Sequence, residues 1–273
     1  MDRFALYELC VQSPRHVVGF LHAVHGNRPT ILREDFCGTA AVSRRWVDEG
    51  IRRGEVFSAI AVDVDQTTLD WAKLKASDNP VIAAHIQFLR GDCTSAQAPA
   101  HDVGADIIFV GNFSIGYIYT RSELLSYLRD SRDRLSKANS GFGGGIFVCD
   151  LYGGASAFTL GGLHRRYSGP KGEQIHYNWL HEEADAQTCI VQNSISFRVI
   201  ESDDAVIEFP REFVYRWRLW SIPELRDVML EAGFSSAEVH VDCNIAPGEV
   251  PVSISDASSL MEDWIVLVVG RTE

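Results

Sequence analysis

The chain has 273 residues, 46% of them hydrophobic, with 25 basic against 37 acidic side chains and a net charge of −12. That length buries a full core, and it suits one domain carrying an insertion better than two domains. The acid excess speaks against a nucleic-acid partner, which needs a basic face, and favours a small neutral-to-cationic substrate. No apolar run approaches the roughly 20 residues of a membrane span.

Met1-Asp2-Arg3-Phe4 lacks a basic-then-apolar leader, so a cytoplasmic protein is expected. The six cysteines are dispersed and none forms a C-x-x-C pair, which argues against a zinc site or a disulfide framework. The nine histidines are scattered as well, with His22/His25 and His176/His181 the nearest pairs and no third ligand beside either. No metal is expected.

Asp2 to Cys10 reads as a helical or irregular lead, with Tyr7 assigned to packing. Ser13-Pro14 reads as an N-cap with proline at the first helical position, and Gly26-Asn27 ends that helix. Residues 1–28 thus make an N-terminal arm. The first strand is read at Thr30–Glu34. It runs into Glu34-Asp35-Phe36-Cys37-Gly38-Thr39-Ala40 and then a helix to Arg53. Such a turn carries bare backbone N–H groups and a helix start toward a ligand.

Further strands follow at Val56–Asp63, His85–Arg90, Ala105–Val110 and Gly145–Leu151, with helices at Gln66–Ala76 and Arg121–Lys137. Strands alternate with helices, so a Rossmann-like α/β open sheet is expected, mostly parallel and covered by helices on both faces. Ligands of such sheets sit beyond the carboxyl ends of the strands. Glu34, Asp35, Asp63, Asp92 and Asn112 all fall there.

From Tyr152 the pattern changes. Gly153-Gly154 and Gly161-Gly162 break the chain. Strand-like runs at Gln174–Glu182, Thr188–Ile200 and Ala205–Trp220 then predict an inserted antiparallel β-flap over residues 153–220. The cofactor-binding core is accordingly 29–152 plus 221–273. Ser221-Ile222-Pro223-Glu224 is a capping-box start, and that helix stops at Gly233. Strands are read at Glu238–Cys243 and Trp264–Val269, separated by a turn-rich loop over Ile245–Ser259. The last strand is expected to run antiparallel.

In order, E-D-F-C-G-T-A, V-D-V-D, R-G-D-C and V-G-N-F-S at four successive strand ends resemble the class I S-adenosylmethionine-dependent methyltransferases. The resemblance runs from Ile31 to the end. It is strongest to small-molecule enzymes with a β-flap after strand five, such as the glycine N-methyltransferase-like and amino-sugar N-methyltransferase groups. It implies that S-adenosylmethionine is the cofactor and S-adenosylhomocysteine the product. Asp63 would then take the ribose hydroxyls, Val64 pack on the adenine and Asp92 accept from its amino group, with Cys93 nearby. The Cys37, Gly38, Thr39 and Ala40 backbone would pack under the methionine part, and Asn112 and Phe113 line the edge facing the acceptor. Arg33 is a candidate partner of the cofactor carboxylate, or else a surface charge. Glu34, Asp35 and Phe36 complete the loop.

That loop departs from the family's acid-x-G-x-G-x-G. Phe36 and Ala40 stand where glycines are usual, and Asp35 is a second acid, so a differently shaped first turn is expected. An acid like Asp63 also ends strand two in dinucleotide-binding folds, but their G-x-G-x-x-G is missing here. Asn112 is followed by Phe113-Ser114, not by the prolines of nucleobase methyltransferases. The activity implied is methyl transfer to a small-molecule acceptor, more at nitrogen than at oxygen, by in-line displacement under a closing flap. Tyr117, Tyr152 and His176 are the candidates to assist the acceptor. A non-catalytic S-adenosylmethionine-binding protein is the alternative, with a nicotinamide-dependent oxidoreductase behind it. Homo-oligomerisation is left open.

Overall fold

The computed structural model describes residues 1–135, 144–241, 243–244, 249–254, 260 and 262–273. The loop expected over 245–259 falls mostly outside these residues, as do the last two residues of the helix expected to reach Lys137 and most of the run before strand five.

A seven-stranded sheet carries the chain. Its strands are β1 (Ile31–Asp35), β2 (Ser58–Asp63), β3 (Ile86–Arg90), β4 (Ile107–Val110), β5 (Ile146–Gly153), β10 (Ser236–His240) and β11 (Trp264–Arg271). Their spatial order is β10-β11-β5-β4-β1-β2-β3. The first five run parallel, and β11 lies antiparallel to both β5 and β10. The Ile-Ile-Phe-Val of β4 is buried throughout, as a central strand covered on both faces must be. The order reverses between β1 and β4, so the crevice that opens there lies beside the Phe36–Ala40 turn and the Gly111–Phe113 turn.

Two apolar layers flank the sheet. On one side lie α2 (Pro14–His25), α3 (Ala41–Arg53) and α4 (Gln66–Ser77), with Val18, Leu21, Trp46 and Leu69 in the core. On the other lie α6 (Arg121–Leu135) and α7 (Ile222–Ala232), with Leu124, Tyr127, Leu128, Leu225 and Met229 buried. The capping box at Ser221 and Glu224 forms in full, and Gly233 takes φ 98 at the C-cap. Ser13 does precede α2, but its side chain makes no cap bond; its carbonyl takes the His16 and Val17 amides instead. A short helix α5 (Pro80–Ala84), capped by Asn79, was not anticipated.

The insertion is a separate antiparallel sheet of four strands: β6 (Gly161–Ser168), β7 (Gln174–Asp185), β8 (Ile190–Ile200) and β9 (Val206–Arg218), in that order. Gly161-Gly162, read as a break, opens β6, which pairs along its whole length with β7. The helix α1 (Arg3–Val11) packs on this sheet: its Leu6 and Cys10 share a core with Ile175, Tyr177, Ile195 and Phe197. The same helix and its N-cap reach the helices over the larger sheet: Glu8 pairs with Arg44 of α3, and the Trp71 indole N–H of α4 donates to Asp2 at 3.3 Å.

Candidate functional site

The first turn is held from below. Phe36, Gly38 and Ala40 take φ 53, 51 and 54. The left-handed conformations that glycine adopts readily are therefore present, two of them on residues with side chains. Phe36 itself adopts a left-handed φ that its side chain disfavours. The Cys37 amide donates to the Val62 carbonyl at 2.9 Å, and the Gly38 amide donates to Asp63 Oδ2 at 2.7 Å. A methyl group built at Gly38 would meet nothing within 4 Å. No protein atom therefore requires the glycine there; the space in front of it is open.

The three charged residues before the turn are inside the protein. Ala40 sits at the N-cap of α3 and has no side-chain oxygen, so Glu34 supplies one from β1. Its Oε2 accepts from the Ser43 amide at 2.8 Å and the Ser43 hydroxyl at 2.5 Å. A carboxylate at a helix N-terminus is favourable, yet burial wins and pushes Glu34 up to about 7. Asp35 points to the opposite face. It accepts from Arg33 Nε at 2.8 Å and Tyr127 OH at 2.9 Å, with Arg134 at 3.5 Å. Arg33 also donates to the carbonyl of Pro99 at 2.8 Å, and its side chain is fully buried. This corrects two expectations. Arg33 is not a surface charge but a fully buried side chain held by Asp35 and Pro99, with Nη2 left without a partner among the described residues, and Glu34 and Asp35 support the turn without lining it.

The strand-two and strand-three acids do face outward. Asp63 accepts from the Gly38 and Asp65 amides, at 2.7 and 2.9 Å, one bond on each carboxylate oxygen. Each oxygen keeps a lone pair for a ligand. Val64 beside it is 60% exposed. Asp92 is exposed and accepts from the Thr94 amide at 2.9 Å and hydroxyl at 2.7 Å. Cys93, Cys37, Thr39 and Ala40 are buried under the loop, and the Thr39 hydroxyl reaches Gln12 at 3.2 Å.

The strand-four turn is the second half of the site. Asn112 and Phe113 are consecutive left-handed residues, φ 55 and 60. Their amides donate to Asp150 on β5, at 2.9 and 2.6 Å. Asp150 was missed in the sequence, although an acid closing the apolar run Ile146–Cys149 carries the same signature as Asp63.

Above this turn the second sheet contributes an aromatic cluster. The Phe113 and Tyr152 rings lie 4.7 Å apart, and Trp217 lies 6.0 Å from Phe113 and 6.1 Å from Tyr152. Tyr117 stacks on Phe36 at 6.1 Å and meets Trp217 edge-on at 6.0 Å. Trp179 and Tyr215 extend the stack. Gly116 permits this, since a Cβ there would come within 2.8 Å of Trp217. Tyr7, assigned to packing, brings its phenol from α1 to that of Tyr215 and into the field of Tyr117 and Asp150.

Tyr117 and Tyr152 are thus brought together at the strand ends, both touching Trp217. His176 is not. It alternates on β7 with Ile175 and Tyr177, which face α1, so it lies on the other face of the sheet. The histidine facing the cluster is His181, whose ring is 6.4 Å from Tyr152 and whose Nε2 takes the Trp179 indole N–H at 3.0 Å. Burial lifts the Tyr117 and Tyr152 phenols to about 12. Both hold their protons at neutral pH, so they can donate hydrogen bonds but cannot act as bases. The Tyr152 oxygen accepts from Asn193 Nδ2 at 2.8 Å.

The rings leave little space between them: the cavity among Phe113, Tyr152, Trp217 and Trp220 is about 10 Å³, room for one water. A larger groove of about 940 Å³ lies elsewhere, between α2 and the C-terminal half of α3, lined by Arg15, His22, Arg45 and Arg53. Among the described residues no cluster of metal-ligating side chains occurs, and no helix is long and apolar enough to cross a membrane.

No protein-family model and no curated protein matches the sequence. Solved structures do match. The CcbJ methyltransferase from Streptomyces caelestis aligns over 94% of this chain and 88% of its own, at 19% identity and a TM-score of 0.64. The sugar N-methyltransferase KedS8 from Streptoalloteichus covers 99% of this chain and 92% of its own, at 14% identity and a TM-score of 0.65. CalS10, an amino pentose methyltransferase from Micromonospora echinaspora solved with S-adenosylmethionine bound, covers 100% and 98% at 13% identity and a TM-score of 0.63. The chain has the fold of the S-adenosylmethionine-dependent methyltransferases, flap included.

Proposed function

We propose that the protein is an enzyme that transfers a methyl group from S-adenosylmethionine to an amine nitrogen of a small-molecule acceptor. One observation carries the reading: the open space in front of Gly38, the two free lone pairs of Asp63 and the exposed Asp92 line the ends of three neighbouring strands. That row fits one extended ligand with a hydroxylated sugar over Asp63 and a base beyond Val64. The named activity of KedS8, a sugar N-methyltransferase, supports nitrogen as the methylated atom.

The bound cofactor supplies a methyl group already activated on a sulfonium. The chain's own work is to align, shield and accommodate charge. Asp63 and Asp92 anchor the far end. Asn112 and Phe113 border the transfer point, and the rings of Tyr117, Tyr152 and Trp217 present π faces that attract a cationic centre. Alignment of the reacting atoms is worth up to about 7–11 kcal/mol. The amine enters neutral, since the phenols nearby cannot accept its proton. The four-stranded sheet covers the acceptor side, and its rings must part to admit the acceptor.

Calorimetry tests this directly. S-adenosylmethionine should bind the wild type, and Asp63→Ala should weaken it about 10- to 100-fold, as expected for hydrogen bonds to a charged acceptor worth about 1.5–3 kcal/mol. Release of S-adenosylhomocysteine across a panel of amines then identifies acceptors. Binding of neither cofactor nor by-product would sink the reading, and binding of NADH in their place would assign an oxidoreductase. Cofactor binding with no acceptor turned over would leave a binding protein.

A further inference from the structure

The inner face of the four-stranded sheet is lined mainly by apolar and aromatic side chains, and Asn193 interrupts it. Ile175 and Tyr177 on β7 and Ile195, Phe197 and Val199 on β8 pack together against α1. Asn193 lies two residues before Ile195, so its side chain leaves the strand on the same side. It is fully buried. Its register neighbours are His181 on β7 and Tyr215 on β9, and both belong to the cluster around Tyr152 and Trp217. The amide Nδ2 donates to the Tyr152 hydroxyl at 2.8 Å. The Oδ1 of the same amide is buried and has no partner among the described residues.

An orphaned amide oxygen inside the protein is less favourable than a leucine of similar volume in the same place. Polar groups nearby are satisfied: the Ser194 hydroxyl and the Gln192 amide both donate to Glu182, at 2.7 and 3.1 Å, and His181 takes the Trp179 indole N–H. Asn193 uses one half of its amide on Tyr152 and keeps the other open. Tyr152 is complementary, because its oxygen accepts from Asn193 and its own O–H proton is left over. The two heteroatoms of one amide are about 2.3 Å apart. The free oxygen and the phenol therefore lie within about 5 Å, close enough for one atom to touch both at ordinary hydrogen-bond lengths. The pair offers one acceptor and one donor, and turning the amide over exchanges the roles and leaves the same pair. A carboxylate or phosphate oxygen only accepts and an ammonium only donates, so each satisfies half of it. A hydroxyl satisfies both halves. A neutral amine would too, but the phenol would then hold its lone pair and keep it from the methyl group.

We propose that Asn193, together with Tyr152, reads a hydroxyl group on the acceptor and so determines which amines are taken. The role rests on the methyltransferase reading; the test, which follows binding, does not. The Tyr152 ring lies 4.7 Å from that of Phe113, which borders the transfer point in that reading, so the hydroxyl belongs close to the methylated nitrogen.

The probes are trans-2-aminocyclohexanol, its methyl ether and cyclohexylamine, titrated at one pH into the full chain, with and without S-adenosylhomocysteine, and followed by calorimetry. Wild type should bind the amino alcohol at least about tenfold tighter than the other two, because a site built for a hydroxyl is left with unpaired groups without it. Asn193→Leu should level the three affinities while leaving that for S-adenosylmethionine in place. A merely structural role for Asn193 would lower all three together and keep their ratios. Tyr152→Phe should lose the same preference, and it decides the matter if Asn193→Leu does not fold. A wild type that binds none of the three, or binds them alike, overturns the proposal and leaves a buried water as the partner of the amide oxygen. Either variant keeping the preference overturns it as well. Failure of both S-adenosylmethionine and S-adenosylhomocysteine to bind would remove the methyltransferase reading, and the ratios on the unloaded chain would still decide the role of Asn193.

Discussion

Two turns flank the reversal point of the sheet, and both force residues with side chains into left-handed conformations: Phe36 and Ala40 after β1, Asn112 and Phe113 after β4. They are secured very differently. The first is held by several independent groups. Val62 and Asp63 take its amides, Glu34 caps the helix that leaves it, and Asp35 anchors its base to Arg33, Tyr127 and Arg134. The second hangs on Asp150. Damage to the first turn should therefore appear in the stability of the whole chain, and damage to the second in the site alone.

Removing Asp35 should give the largest effect. Asp35→Ala leaves Arg33 and Arg134, both fully buried, without their shared carboxylate. Breaking a buried pair by deleting one partner costs about 3–5 kcal/mol. Urea unfolding should show a loss of that order, with Asp150→Asn losing far less. Equal losses at the two positions would erase the contrast between the turns.

Glu34 sharpens the comparison through pH. Its folded pKa of about 7 lies above the ordinary carboxylate value of 4.5. Folding therefore favours the protonated form. That contribution is fully present below about pH 4.5 and is lost as pH rises through 7. The span corresponds to roughly 3 kcal/mol. Glu34→Gln keeps an acceptor for Ser43 and carries no charge, so wild type should lose stability against it between pH 5 and 8.5. Parallel stability curves would mean that Glu34 does not titrate in this range.

The two turns also differ in how far the sequence discloses them. The alternation of strands and helices, the acids ending β2 and β3 and the glycine at 38 are local signals, and they lead directly to the sheet and its ligand end. The capping box at Ser221 is equally local. The direction of a side chain at a strand end is not. Arg33, Glu34 and Asp35 look alike in the sequence, and the pleat sends them to opposite faces, where α3 and α6 decide their partners. His176 and His181 present the same difficulty: an odd number of steps along β7 puts one on each side. Asp150 was hidden because its partners are backbone amides 37 and 38 residues away. In β6, seven exposed residues and a half-buried Tyr167 give no apolar alternation to read, and pairing with β7 makes the strand.

Gly38→Ala, with the smallest expected effect on stability, separates the purposes of the first turn. The residue has φ 51, and an added Cβ would touch no protein atom within 4 Å. The cost to the fold is therefore conformational alone, about 1–2 kcal/mol for an alanine in the left-handed region. The same methyl would project into the space that the methyltransferase reading assigns to the cofactor. Calorimetry with S-adenosylmethionine should then lose at least tenfold in affinity, while the unfolding midpoint moves only slightly. An alanine variant that binds as the wild type does would show that the ligand does not approach this backbone, and the open space before Gly38 would lose its meaning as a cofactor contact.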